Sequence, residues 1–176
     1  VLITISGLPG SGKTTVARLV AQALGLEHVY AGDVFRRQAE AAGLTLEEYA
    51  QRAETDHTID RRLDAQMRAR AARGNAVLEG RLAAFMAEEA GVQALRIFLD
   101  ASEEVRAARI TEREGGDAAA RLRQTQAREA SDARRYREIY GVDYHDQRRY
   151  DLVIRTDGRP PEAVAAEIVA RARERA

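Results

Sequence analysis

The octapeptide Gly7-Leu8-Pro9-Gly10-Ser11-Gly12-Lys13-Thr14 leaves the rest of the chain little freedom. It fits G-x-x-x-x-G-K-[ST], a loop whose glycines let backbone N–H groups converge on phosphate oxygens. The motif gains its meaning from a strand before it and a helix after it, and both signals are present. Val1-Leu2-Ile3-Thr4-Ile5-Ser6 is an apolar, β-branched run of the kind buried in parallel sheets. Thr15 to Leu24 has apolar residues at helical spacing and stops at Gly25. That helix presents its positive N-terminal end to the same anion. Lys13 is expected to reach the β- and γ-phosphates of a nucleoside triphosphate, and the Thr14 hydroxyl to hold Mg²⁺. Lys13 is also the only lysine in the chain; every other basic residue counted is arginine. A compact ammonium has been kept where a wide planar guanidinium would not fit the cradle.

At 176 residues the chain reads as one domain with a proper core. Charged residues make up 32% but balance to a net charge of zero, which gives no general case for nucleic acid or an acidic membrane surface. The absence of cysteine excludes disulfides, thiolate metal sites and thiol redox chemistry. No apolar run approaches the roughly 18 residues of a spanning helix. The sequence opens directly on the first strand, so no leader is expected. The expectation is a cytoplasmic monomer without nucleic-acid or membrane partners.

Further along, Val29-Tyr30 is a short strand leading into Ala31-Gly32-Asp33, where Asp33 can cap a helix over 34–42. Thr45 to Glu48 forms a capping box for a helix to about Arg52. A helix over 58–73 carries Ile59, Leu63 and Met67 on one stripe, with acids and arginines elsewhere. Strands are expected at 76–81, 95–100 and 150–154, and helices at 82–90, 102–113, about 118–139 and after Pro160-Pro161. Strands alternating with helices imply an α/β fold, a five-stranded parallel sheet covered on both faces. The stretches 33–74 and 112–122 exceed what simple connections need, and such insertions often close over a ligand.

A guanine-reading N-K-x-D is impossible without a second lysine. Transfer of a phosphoryl group instead calls for positive charge around it, much of it arginine. Gly32-Asp33-x-x-Arg36-Arg37 and Glu79-Gly80-Arg81 both follow strands, at the edge where parallel sheets bind ligands. Glu79 could orient a magnesium-bound water. Arg106, Arg109 and Arg113 precede Gly115-Gly116, and further arginines follow it. Arg128, Asp132 and Arg135 can share one helix face, as partners in an ordinary salt bridge or as ligands of a substrate. Tyr136, Tyr140, Tyr144 and Tyr150 read as packing residues, and His28, His57 and His145 as structural or exposed.

These residues resemble the P-loop nucleoside monophosphate kinases, and within them the short, archaeal-type cytidylate kinases. The likeness runs through I-T-I-S-G-L-P-G-S-G-K-T-T-V-A-R at 3–18, Ala31-Gly32-Asp33-Val34-Phe35-Arg36 and Leu78-Glu79-Gly80-Arg81-Leu82. It resumes in R-E-A-S-D-A-R-R-Y at 128–136, I-Y-G-V-D at 139–143 and Y-D-L-V-I at 150–154. Ala31 departs from relatives that place a hydroxyl there. The resemblance implies that ATP lies on Gly7, Leu8, Pro9, Gly10, Ser11, Gly12, Lys13, Thr14 and Thr15, with the Thr156-Asp157-Gly158 turn along its adenine. It implies a CMP or dCMP site lined by Asp33, Arg36, Arg81, Arg128 and Asp132, with Arg36 and Arg81 on the 5′-phosphate. Arg109, Arg113 and Arg135, with Lys13, would clamp the transferring phosphate, and Thr14 and Glu79 would hold Mg²⁺.

Three readings remain beside it. The acceptor could be UMP, or a small-molecule hydroxyl with Asp33 as the base that takes its proton. The chain could also be a nucleotide-dependent switch or an RNA-binding ATPase.

Overall fold

A computed structural model describes residues 1–175, the side chain of Glu47 excepted. Five strands, β1 (Leu2–Gly7), β2 (Glu27–Tyr30), β3 (Ala76–Glu79), β4 (Leu95–Asp100) and β5 (Leu152–Arg155), form one parallel sheet in the order β2-β3-β1-β4-β5. The helices are α1 (Lys13–Leu24), α2 (Ala31–Ala41), α3 (Leu46–Ala53), α4 (His57–Ala71), α5 (Ala83–Glu89), α6 (Glu103–Glu114), α7 (Ala118–Tyr140) and α8 (Pro161–Glu174). The parallel α/β architecture expected from the alternation of elements is the one observed.

Side-chain alternation builds the layers. Ile3 and Ile5 of β1, Val77 of β3, and Leu95, Ile97 and Leu99 of β4 pack on Val16 and Val20 of α1 and on Val164 and Ile168 of α8. On the opposite face Leu2, Leu78 and Phe98 meet α4, α5 and α7 through Met67, Met86 and Tyr136. Helices α2, α3 and α4 share a smaller core of Ala39, Tyr49, Ala53 and Ile59, packed with Phe35. Tyr136, Tyr144 and Tyr150 are buried as packing residues, with the Tyr150 ring 4.9 Å from that of Phe98.

The sequence boundaries shift in two informative places. The second helix begins at Ala31, capped only by the extended backbone of Tyr30, because β2 feeds straight into it. Asp33 therefore lies inside the first turn instead of capping it. The last strand begins at Leu152, since Tyr150 ends a 3₁₀ turn and its hydroxyl donates to the Tyr144 carbonyl at 2.7 Å. No helix among the described residues is long and apolar enough to cross a membrane.

Candidate active site

Beyond the C-terminal ends of β1, β2 and β3 opens a cleft of about 890 Å³. One wall is the phosphate loop. Gly10 there has φ +78°, and a Cβ on it would stand 2.6 Å from the Arg106 carbonyl, so only glycine fits. The cap of α1 is Gly12, which offers no side chain, and the first-turn N–H groups are left for an anion. Gly10, Gly12, Lys13, Thr14, Thr15 and Pro9 line the cleft; Gly7, Leu8 and the fully buried Ser11 support it from behind.

Three cations converge on that wall. Lys13 donates to the Leu8 carbonyl at 2.8 Å, and burial followed by the nearby Arg81 charge pushes its ammonium down to about 7. Arg81, delivered by the turn after β3, is an ion-pair partner of Asp132 at 3.0 Å. Arg128 on α7 is pulled below the usual guanidinium range, first by Arg81 and then by burial. Among the described residues Arg128 has no ion-pair partner. Like charges held this close without enough counter-charge define an anion site.

Thr14 Oγ1 donates to Glu79 Oε1 at 2.6 Å, bringing together the two residues expected at a metal. Glu79 is buried, and its other oxygen meets His28 Nε2 at 2.8 Å. A hydroxyl and a carboxylate are hard oxygen donors that suit Mg²⁺ carried in with a nucleotide's phosphates. Among the described residues no three acidic, cysteine or histidine side chains form a cage of their own. Sequence alone suggests only a structural or exposed role for His28. Its contact with Glu79 follows from the β2–β3 register, which sets His28 beside Val77 and Tyr30 beside Glu79.

Arg36, Arg81, Arg113, Arg128, Asp132 and Arg135 all line the cleft. Arg135 is committed to carboxylates, bonding Asp60 and Asp132 at 3.0 Å each. Three expected ligands stand elsewhere. Asp33 is outside the cleft wall and accepts from Arg36 Nη1 at 3.1 Å, because the early start of α2 turns it away. Arg109 donates to Thr156 Oγ1 and Thr156 O at 2.9 Å and to Gly10 O at 3.3 Å, bracing the back of the loop. Thr156 is 3% exposed and hands its hydroxyl to Ser11 O and Asp100 O, so it positions the loop from beneath. Buried Arg106 does similar work, donating to Ala101 O and Pro9 O and pairing with Glu129 of α7.

Sequence reasoning also misses Asp60 and Asp64, two buried carboxylates on the cleft side of α4. Burial raises both, Asp64 to about 7, against the opposing Tyr140 hydrogen bond on Asp64 and the Arg135 charge on Asp60.

A glycine cradle on a parallel sheet, facing a cleft lined with guanidinium groups, defines a P-loop phosphotransferase. The shikimate kinase of Acinetobacter baumannii shares this fold, with a TM-score of 0.67 and 16% identity over 99% of this chain and 93% of that one. The chain belongs to the cytidylate kinase-like family, whose model matches residues 2–158. It is 48% identical to the protein named cytidylate kinase in Methanopyrus kandleri, over 89% of this chain and 84% of that protein. The protein so named in Pyrococcus horikoshii is 43% identical over 96% of this chain and 86% of its own length.

Proposed function

We propose that the protein is a cytidylate kinase, moving the γ-phosphoryl group of ATP onto the 5′-phosphate of CMP or dCMP to give ADP and CDP or dCDP. The observation that carries this is the convergence of Lys13, Arg81 and Arg128 where the phosphate loop meets the cleft. Family membership supplies the acceptor.

The reaction asks little covalent chemistry of the chain. A nucleotide's 5′-phosphate has a second pKa of about 6, so at neutral pH its oxygen attacks without a general base. A new O–P bond forms at the γ-phosphorus as the bond to the ADP oxygen breaks in line. What must be supplied is alignment, and suppression of repulsion between two polyanions. The loop N–H groups and Lys13 hold the donor phosphates. Arg81, Arg128 and Arg36 hold the acceptor phosphate, and Arg113 closes from the end of α6. Mg²⁺ held by Thr14 and Glu79 would neutralise charge on the donor phosphates as they separate.

We assign residues 33–74 to closing over the acceptor and 112–122 to closing over the donor, within one kinase domain. Asp33 as a catalytic base for a hydroxyl acceptor is disfavoured, because it lies off the cleft and is engaged by Arg36. A coupled ADP-release assay over a panel of nucleoside monophosphates tests the reading. Turnover with CMP or dCMP above all other acceptors is expected; ADP release that no pyrimidine nucleotide stimulates would end it.

A further inference from the structure

We infer that Asp64, with Asp60 one helical turn before it, reads the exocyclic amino group at position 4 of the pyrimidine, and so separates cytosine from uracil. The inference rests on the proposed function and deepens it. Asp60 is 5% exposed and Asp64 8% exposed, and both line the cleft. Each is fixed through one oxygen only. Asp60 Oδ2 accepts from Arg135 Nε at 3.0 Å, and Asp64 Oδ2 accepts from the Tyr140 hydroxyl at 2.7 Å. Among the described residues neither Oδ1 atom accepts a hydrogen bond from a protein group. Each Oδ1 is an acceptor open to the cleft, on a side chain held in orientation by its partner, with its own bond still to make.

The surroundings select the ligand group. Phe35, Leu63 and Met67 line the same part of the cleft and offer apolar faces to a flat ring. The cationic wall at Lys13, Arg81 and Arg128 takes the phosphate, so a nucleotide entering phosphate-first carries its base towards α4. Once ionised, above about pH 7 for Asp64, carboxylate oxygens accept and do not donate. The 4-amino group of cytosine supplies two N–H donors to them. The 4-oxo group of uracil supplies only lone pairs, leaving these acceptors unpaired and facing an oxygen once the base has displaced water.

The test compares kcat/KM for CMP and UMP at about pH 8, where Asp64 is ionised, in the wild-type protein, Asp64→Asn and Asp60→Asn. Asparagine keeps the volume, and at position 64 its carbonyl still accepts from Tyr140 while its NH₂ can donate to a 4-oxo group. The CMP:UMP ratio is expected to exceed about 10 in the wild type and to fall by about 10- to 100-fold in Asp64→Asn, with the UMP value rising. Asp60→Asn should lower the ratio in the same direction. Equal losses on CMP and UMP in both variants would mark the acids as merely structural or ribose-binding and overturn the inference. A wild-type ratio near one overturns it without any variant. A wild-type protein inactive on both nucleotides refutes the proposed function itself, which keeps the two failures apart.

Discussion

Replacing Asp64 with asparagine should make the stability of this protein less sensitive to pH, in a direction the structure fixes. Burial, helped by the neighbouring Asp60, raises the Asp64 carboxyl from its ordinary 3.8 to about 7, while the Tyr140 hydroxyl, Arg135 and Arg68 pull the other way. The folded chain thus keeps a proton that the unfolded chain releases above about pH 4, and stability falls as pH climbs from there through about 7. Each unit of separation is worth about 1.4 kcal/mol, giving a penalty of roughly 4 kcal/mol, of which about 3 kcal/mol accumulates between about pH 5 and pH 8. The substituted amide does not titrate and still accepts from Tyr140, so the variant escapes the penalty. Melting curves of both proteins at about pH 5 and about pH 8 should show the variant gaining some 6–12 °C on the wild type across that interval, at about 2–4 °C per kcal/mol for a chain of this length. Other titrating groups are common to both proteins and cancel in the difference, apart from Asp60, with which Asp64 is coupled. A gap that stays constant with pH would refute the claim that Asp64 is held protonated by burial.

Arg128→Ala removes a guanidinium with no ion-pair partner among the described residues, so melting should move by less than about 0.5 kcal/mol while kcat/KM for CMP drops by about 100-fold or more. Arg106→Ala should do the reverse first: it strands the mostly buried Glu129 carboxylate and frees the Pro9 and Ala101 carbonyls, costing about 3–5 kcal/mol in urea unfolding. Gly10→Ala forces a Cβ to within 2.6 Å of the Arg106 carbonyl at a φ of +78°, and a raised KM for ATP in steady-state assays is the expected outcome.

Much of the fold was legible because its signals are local. A β-branched run, a glycine loop and an amphipathic helix in succession specify one β–loop–α unit, and each later strand–helix pair repeats that arithmetic. The phosphate wall was legible for the same reason, since Lys13 and Thr14 sit at fixed places in one motif. Asp33 aside, whose place follows from the local start of α2, the residues that sequence placed elsewhere or missed are ones whose surroundings are set by a distant partner. Arg109 and Arg113 are indistinguishable in sequence, yet the first turns to Thr156 beneath the loop and the second to the cleft. Asp60 and Asp64 look like solvated charges beside the Ile59–Leu63–Met67 stripe. They are buried because α4 is covered on a second side by α7, which brings Arg135 and Tyr140 to them from about 75 residues away. No periodicity within α4 could reveal that.

The pattern of ion pairs explains why the cleft can be so rich in arginine and still fold. Arg36 is engaged by Asp33, Arg81 by Asp132, Arg135 by Asp60 and Asp132, and Arg106 by Glu129. The Arg36–Asp33 pair is exposed, but Asp132, Asp60 and Glu129 each offset the desolvation of a guanidinium that would otherwise be costly to bury. A phosphate arriving at Arg81 must therefore compete with Asp132 instead of meeting a bare cation, which weakens binding of any single anion. Lys13 and Arg128 are compensated less well, as their lowered proton affinities show. Anions that reach these two groups and Arg81 together relieve a repulsion already present in the folded chain. The character of this cationic wall thus lies as much in where the carboxylates were placed as in the arginines themselves.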